Sequence, residues 1–353
     1  MDSRAKLTIY GIAREAGVSP STVSRVMTGS ARVREDKRKK VEAVIRRRHF
    51  RPSAFARALS RRRTGVFGFI LPDISHPYYG LVFLGAENRA AELGFSLILG
   101  NTLNDNADHV THMETQLLDV MMDRGADGII LAGGRVQETR PIEAHLEQIR
   151  RIASRVPVVT VSGRMQRAPC WSVEQDEERA VEIAVNYLVT LGHRSIGFLG
   201  GVAGIEPSDT RRRSLRKNLD AHGLEWREEW CRYGGFTVED GRGGMEAFLQ
   251  IRNRPTAIIA FNDLNAVGAI YTARKNGLRV PEDLSIVGID DIPLVEYVVP
   301  RITSVDLCPR EQGSQAVDVM AAILRGESPR RRTVLEPRLV IRDSCRMLTP
   351  HSA

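Results

Sequence analysis

Nine residues near the N-terminus, Val18-Ser19-Pro20-Ser21-Thr22-Val23-Ser24-Arg25-Val26, have the chemistry to read a base pair by its edge. Ser19 is a good helix N-cap, and Pro20 suits the first helical position, where its missing N–H costs nothing. The helix so started exposes Ser21, Thr22, Ser24 and Arg25 and turns Val23 and Val26 inward. Short polar side chains and one arginine suit a helix that enters the major groove, because a guanidinium can bond guanine O6 and N7 together. An ordinary helical hairpin is the alternative.

A second group of residues could hold a small polar ligand. Tyr78 and Tyr79 follow the apolar run Val66–Leu71, Asn262 and Asp263 follow Ala257–Phe261, and Asp290 follows Ser285–Ile289. Arg211 lies early in the helix after Ser195–Leu199, and Phe236 follows Trp230–Tyr233. Arginine, asparagine and aspartate offer fixed donors and acceptors for neighbouring hydroxyls, while tyrosine and phenylalanine offer faces for a sugar ring or a base. Each residue also has a plainer reading. Asn262-Asp263 would serve as a helix cap, Arg211 belongs to a run Arg211-Arg212-Arg213 that suits a solvated face, and Phe236 suits a core.

Catalysis is poorly served. No phosphate-binding loop, Gly-x-Gly-x-x-Gly after a strand, or Gly-x-Ser-x-Gly elbow occurs. His109 and His112 are spaced as H-x-x-H without a carboxylate partner and read as solvated. Cys170, Cys231, Cys308 and Cys345 lie far apart, with no Cys-x-x-Cys pair. The expectation is therefore no enzyme, no metal and no cofactor, although a doubly wound fold alone does not exclude catalysis.

The elements that must carry these residues follow from periodicity. Thr8 can cap a helix Ile9–Ala16 that stops at Gly17, the Pro20 helix follows, and a third helix near Glu35–Arg48 buries Val41, Val44 and Ile45. From Gly65 onward short apolar strands, including Ser96–Leu99, Gly128–Leu131 and Pro157–Val161, alternate with amphipathic helices such as Glu177–Leu191, Thr210–His222 and Asp263–Asn276. Such alternation means right-handed βαβ units and parallel sheets covered on both faces, whose ligands bind beyond the carboxyl ends of the strands. Nearly 290 residues exceed what one sheet usually holds, so two lobes are expected. The fold class is an all-α helix-turn-helix head with a hinge helix, then an α/β body of two doubly wound parallel-sheet lobes. The expected divisions are 1–50 for the head, 51–63 for the hinge and 64–353 for the body. Within the body, one lobe takes about 64–162 and 291–325, the other about 163–290 and 330–345.

Residues 7–29, LTIYGIAREAGVSPSTVSRVMTG, closely resemble the start of the LacI/GalR family of bacterial transcriptional regulators. The segment FRPSAFARALSRRRTGVFGFILPDISHPYYG (50–80) resembles that family's hinge and first strand. YLVTLGHRSIGFLGG (187–201), AIIAFNDLNAVGA (257–269) and DLSIVGIDD (283–291) extend the likeness to about Arg342. The resemblance implies that Pro20, Ser21 and Arg25 read base edges, while Thr8, Tyr10, Thr22 and Ser24 contact or position phosphates. It places Arg57 and Leu59 in a hinge helix lying in the minor groove, with Leu59 as the wedge between base steps; an apolar wedge there kinks the duplex. Leu59 packing the hinge onto a neighbour is the alternative. It also places Tyr78, Arg211, Phe236, Asn262 and Asp290 at effector positions, with Tyr79 at the mouth of the cleft. Gly11 and Thr28 depart from the family's usual Asp and Asn, and Ser214-Leu215 from its usual Gly-aromatic pair.

Charge distribution agrees with a nucleic-acid module attached to something else. Residues 1–63 hold eighteen Lys/Arg against five Asp/Glu, a net of +13, while the remainder holds 33 basic against 38 acidic side chains. A solvated basic tail is the bland alternative. The expected function is a sequence-specific DNA-binding regulator, a repressor controlled allosterically by a small effector such as a sugar, binding a near-palindromic operator as a cytoplasmic homodimer. A body resembling periplasmic sugar binders makes a solute-binding protein the runner-up, but that role has no use for the first 63 residues.

Overall fold

The computed structural model describes residues 8–27, 33–48, 63–102, 107–140, 142–165 and 167–348, with only the backbone for 107–112. The hinge candidates Arg57 and Leu59, and Thr28, lie outside the described residues. The chain divides into two units, Met1–Gly65 and Val66–Ala353.

In the first unit, α1 (Ile9–Ala16), α2 (Pro20–Met27) and α3 (Glu35–Arg47) enclose Ile12, Ala13, Ala16, Val23, Val26, Val41 and Val44. Thr8 caps α1 by accepting the Gly11 N–H at 3.3 Å, and Gly17 ends it in the left-handed region at φ 65°. Ser19 accepts the Thr22 N–H at 3.2 Å, which starts α2 one turn later. Glu15 ties α1 to the end of α3 through Arg47 and through Arg48 at 3.0 Å. Ile45, expected to be buried, is only half-buried, because Val41 and Val44 already fill the face of α3 that meets the other helices.

The second unit holds two six-stranded sheets. The first runs β11 (Arg332–Leu335), β5 (Trp171–Gln175), β4 (Val158–Val161), β3 (Gly128–Ala132), β1 (Val66–Leu71), β2 (Ser96–Asn101), with every pair parallel. The second runs β12 (Arg338–Val340), β10 (Thr303–Asp306), β9 (Ser285–Ile289), β8 (Ala257–Ala260), β6 (Ile196–Leu199), β7 (Cys231–Arg232), parallel except for the β10–β12 edge. Central strands are buried on both faces, as parallel sheets covered by helices require. Phe67, Phe69 and Leu71 of β1 join one core cluster and Ile70 another. Helix α4 (Pro77–Glu92) follows β1, and the helix Pro309–Leu324 lies across it at Gly85 and Gly313. A Cβ at either glycine would come within 1.9 Å of a backbone oxygen, Arg310 O or Val82 O, so the two backbones meet directly.

The lobe boundaries differ from the sequence expectation. Strand β5 belongs to the first sheet, not to a second lobe starting at 163. Strand β10 belongs to the second sheet, and β11 returns to the first. The chain therefore crosses between lobes after Gln175, after Leu307 and between β11 and β12. The misplacement has a physical cause. Trp171-Ser-Val-Glu-Gln175 and Thr303-Ser-Val-Asp306 are polar strands buried by their neighbours, not apolar runs. The helix carrying Arg211 also starts earlier than expected, at Glu206 rather than Thr210, with Pro207 in its first turn (Glu206–Ala221).

Candidate functional site

The head presents the surface that a groove-reading helix needs. Ser21 and Arg25 are exposed, Thr22 and Ser24 half-exposed, and Val23 and Val26 face the core. Thr8, Ser19 and Pro20 are exposed beside them, and Tyr10 is 72% exposed. The Ser19 hydroxyl lies 2.9 Å from both the Ser21 and Thr22 hydroxyls, so the cap and the presenting face are one hydrogen-bonded patch.

In the body, a cavity of about 660 Å³ opens beyond the carboxyl ends of both sheets. Tyr78, Tyr79, Arg211, Phe236, Asn262 and Asp290 all line it. The first lobe brings Tyr78 and Tyr79 at the start of α4, and the second brings Arg211 from the helix after β6 and Asn262 and Asp290 from the turns directly after β8 and β9.

A continuous chain of hydrogen bonds links the lobes beneath this cavity. The Tyr78 hydroxyl lies 2.5 Å from the Ser162 hydroxyl and donates to Gln312 Oε1 at 2.6 Å. Gln312 Nε2 donates to Gln175 Oε1 at 3.1 Å, and Gln175 Nε2 to Glu177 Oε1 at 2.8 Å. Arg211 Nε then donates to Glu177 Oε2 at 2.6 Å, and its Nη1 to the Phe261 carbonyl. Gln175 and Gln312 flank two of the three interlobe crossings, so the chain runs through the hinge.

Charge in the cleft is unevenly matched. Arg211, 2% exposed, lies 4.3 Å over the Phe261 ring; burial opposes its charge, but Glu177 and Asp290 more than restore it. Asp290 is 5% exposed and takes no hydrogen bond to its carboxylate from any described residue. Burial pushes its carboxyl well above the usual carboxylate range; Arg211 pulls it down, while Asp263 and Glu177 push it further up. Its φ of 113° is in the left-handed half of conformational space, which is sparsely populated by residues other than glycine.

Several residues play parts other than those expected. Asn262 caps the helix Asp263–Lys275 by accepting the Asn265 N–H at 2.8 Å, and its Nδ2 donates to the Phe236 carbonyl at 2.9 Å. It therefore shapes the wall and keeps little capacity for a ligand. Tyr79, expected at the mouth, is half-buried with its hydroxyl against Gly133; a Cβ there would lie 2.3 Å from it. Arg211 is not part of a solvated basic face: it is buried, Arg212 is half-buried over Trp226 and Tyr233, and of the three Arg213 alone is exposed. His76 also lines the cleft, with Nε2 3.3 Å from Asn262 Nδ2. Glu177, Gln175 and Gln312 were missed. Recognising β5 as a strand would have flagged Gln175 and Glu177 by the same post-strand position that flagged Asp290.

Among the described residues no group of three or more His, Cys, Asp or Glu could hold a metal ion, and no helix is long and apolar enough to cross a membrane. The side chains of His109 and His112 lie outside the described residues.

The profile of bacterial regulatory proteins of the lacI family matches residues 8–53, and that of the periplasmic binding protein-like domain matches 185–345. The HTH-type transcriptional regulator DegA of Bacillus subtilis is 34% identical over 343 residues, 96% of this chain and 98% of the relative. Catabolite control protein A of Priestia megaterium is 35% identical over 324 residues, 91% of this chain and 94% of the relative. Among solved structures, the Lac repressor dimer bound to operator and the anti-inducer ONPF aligns with a TM-score of 0.83 at 24% identity, covering 96% of this chain and 99% of that one. The transcriptional regulator CelR in complex with cellobiose aligns at 0.70 and 26% identity, covering 96% and 99%.

Proposed function

Because the chain belongs to the lacI family and is a DNA-binding transcriptional regulator, we propose that it is a repressor whose operator affinity is set by a small hydroxylated effector, a sugar or sugar derivative, held in the interlobe cleft. The observation that carries this reading is Asp290, a buried carboxylate without a donor, facing a cavity that also holds Arg211 and four aromatic rings. Ligand hydroxyls would supply the missing donors, and aromatic faces would take the ring. The cellobiose bound by CelR lends the ligand class further support. Tyr78, Tyr79, Arg211, Phe236, Asn262 and Asp290 form the effector shell, Asn262 through the wall it holds.

On the DNA side, Pro20, Ser21 and Arg25 read bases while Thr8, Tyr10, Ser19, Thr22 and Ser24 set the helix on the phosphates. Arg57 and Leu59 enter the minor groove. A two-fold homodimer in the cytoplasm reads a near-palindromic operator. Effector acts through its differential affinity for two arrangements of the lobes, with coupling of about 1–3 kcal/mol.

The test combines two measurements. Thermal stability is followed against a panel of sugars, where a ligand at 100 times its Kd adds about 2.7 kcal/mol. Operator affinity is followed by fluorescence anisotropy with and without the sugars that stabilise. Arg25→Ala should cost roughly 1–3 kcal/mol and relax preference at one base pair. A chain starting at Thr64 that bound the operator as well as the whole protein would sink the DNA assignment. Stabilisation by a sugar with unchanged operator affinity would sink the regulatory role of the cleft.

A further inference from the structure

We propose that the effector carries a protonated amine as well as hydroxyls, as an amino sugar does, with its ammonium seated at Asp290. This deepens the reading of the cleft as an effector site and rests on it. The carboxylates near the floor are unequally served. Glu177 has an acceptor bond on each oxygen, from Arg211 at 2.6 Å and Gln175 at 2.8 Å. Arg211 in turn spends Nε on Glu177 and Nη1 on the Phe261 carbonyl. Asp290, 95% buried by its 5% exposure, receives no hydrogen bond from any described residue.

The remaining walls deepen the imbalance, adding Asp73, Glu138 and Asp240 against Arg135. A ligand phosphate or carboxylate would enter a site already short of positive charge. A neutral hydroxyl would bond Asp290 in either protonation state and do little to favour the ionised form that burial opposes. An ammonium brings three donors and the missing charge together. The aromatic walls favour the same ligand. Tyr78 and Tyr79 stand nearly edge to face at 5.2 Å, and Phe236 and Phe261 lie 5.1 Å apart. Ring faces attract cations, and Arg211 over Phe261 shows that one ring here already does so.

The experiment is calorimetric titration of the full chain at neutral pH with glucosamine, galactosamine and mannosamine, each beside its neutral parent sugar and that parent's 6-phosphate. At least one amino sugar should bind about tenfold or more tighter than its parent, and the 6-phosphate more weakly than either. In Asp290→Asn the parent sugar should also bind more weakly, but the amine's advantage over its parent should collapse to within about threefold, a change in ratio that misfolding, which weakens both alike, would not produce. Equal affinity for amine and parent in the wild type, or a preference for the phosphate, overturns the amine and leaves the sugar reading standing. An amine preference that survives Asp290→Asn overturns the seat at Asp290. No binding by any of the nine sugars overturns both readings.

Discussion

The two lobes wind their first five strands in the same order, β2-β1-β3-β4-β5 in one and β7-β6-β8-β9-β10 in the other. The fourth wound strand of each ends at an equivalent place, Ser162 after β4 and Asp290 after β9. Both residues take a positive φ, 63° and 113°, and both backbone N–H groups bond the next strand, at Val173 and Val305. What meets the side chains is different. Ser162 is enclosed by Tyr78 and Gln312, so the first lobe satisfies its own polar end. Asp290 has no such partner. One topology thus yields a closed end and an open one, and the open one is where a ligand has something to supply.

The largest predicted effect breaks this comparison directly. Asp290→Ala should lower effector affinity by about a hundredfold or more, roughly 2.7 kcal/mol or above, because the carboxylate is the acceptor no other residue replaces. Ser162→Gly removes the equivalent side chain without adding strain at positive φ. It should leave effector affinity within about threefold while costing about 1–2 kcal/mol of stability, since Tyr78 and Gln312 lose a buried partner. Calorimetric titration and urea unfolding of both variants decide it. A reversed pattern would mean that the ligand sits against the first lobe.

Much of this was legible in the sequence where a residue's role is local. Thr8 and Ser19 cap helices within four residues of themselves, and Val66–Leu71 is apolar throughout, so the head and the first strand followed from spacing. The post-strand rule and the family resemblance together named the six residues that line one cleft, along with Asp263, which is buried and does not line it. Legibility failed where burial depends on a distant partner. Glu177 reads as a surface helix acid until Arg211, thirty-four positions on, is placed beside it. Gln312 reads as a helix-surface amide until Tyr78 and Gln175 converge on it from 234 and 137 positions away. The lobe boundaries failed for the same reason, because β5 and β10 take their burial from neighbours and not from their own composition.

The next effect sharpens the comparison at the hinge between the two ends. Gln312, fully buried, accepts from Tyr78 and donates to Gln175 and to the Leu307 carbonyl at 3.0 Å. Gln312→Leu preserves volume but strands these three partners and Ser162, whose hydroxyl donates to Gln312 Oε1 at 3.1 Å, so stability should fall by roughly 1–3 kcal/mol. Because the chain of bonds joins the closed end to Arg211, operator affinity should also respond less to effector, though Gln312 does not line the cleft. Anisotropy titrations with and without effector would show this as a reduced ratio. A full ratio with only the stability loss would confine Gln312 to packing.

The smallest effect concerns pH. Asp263 is buried behind Asp290, where it accepts from the Ser304 hydroxyl at 2.6 Å and the Ile292 N–H at 2.8 Å. Burial pushes its carboxyl up from 3.8 to about 7, against the two hydrogen bonds and with Asp291 adding repulsion. The first lobe holds a raised carboxyl of its own, Glu114, which burial pushes up from 4.5 to about 7. A carboxyl raised in the folded state resists ionisation more there than in the unfolded chain. Its contribution to stability is whole below the unfolded value of 3.8 and is lost as pH climbs toward about 7. Asp263→Asn removes that charge while keeping one acceptor oxygen. The fall in Tm between about pH 5 and pH 8 should therefore be smaller in the variant, by a few degrees. Asp290 titrates in the same direction, so some slope should remain. Parallel slopes in the two proteins would mean that Asp263 is already ionised in the folded chain at pH 5 and that the slope belongs to Asp290 and Glu114.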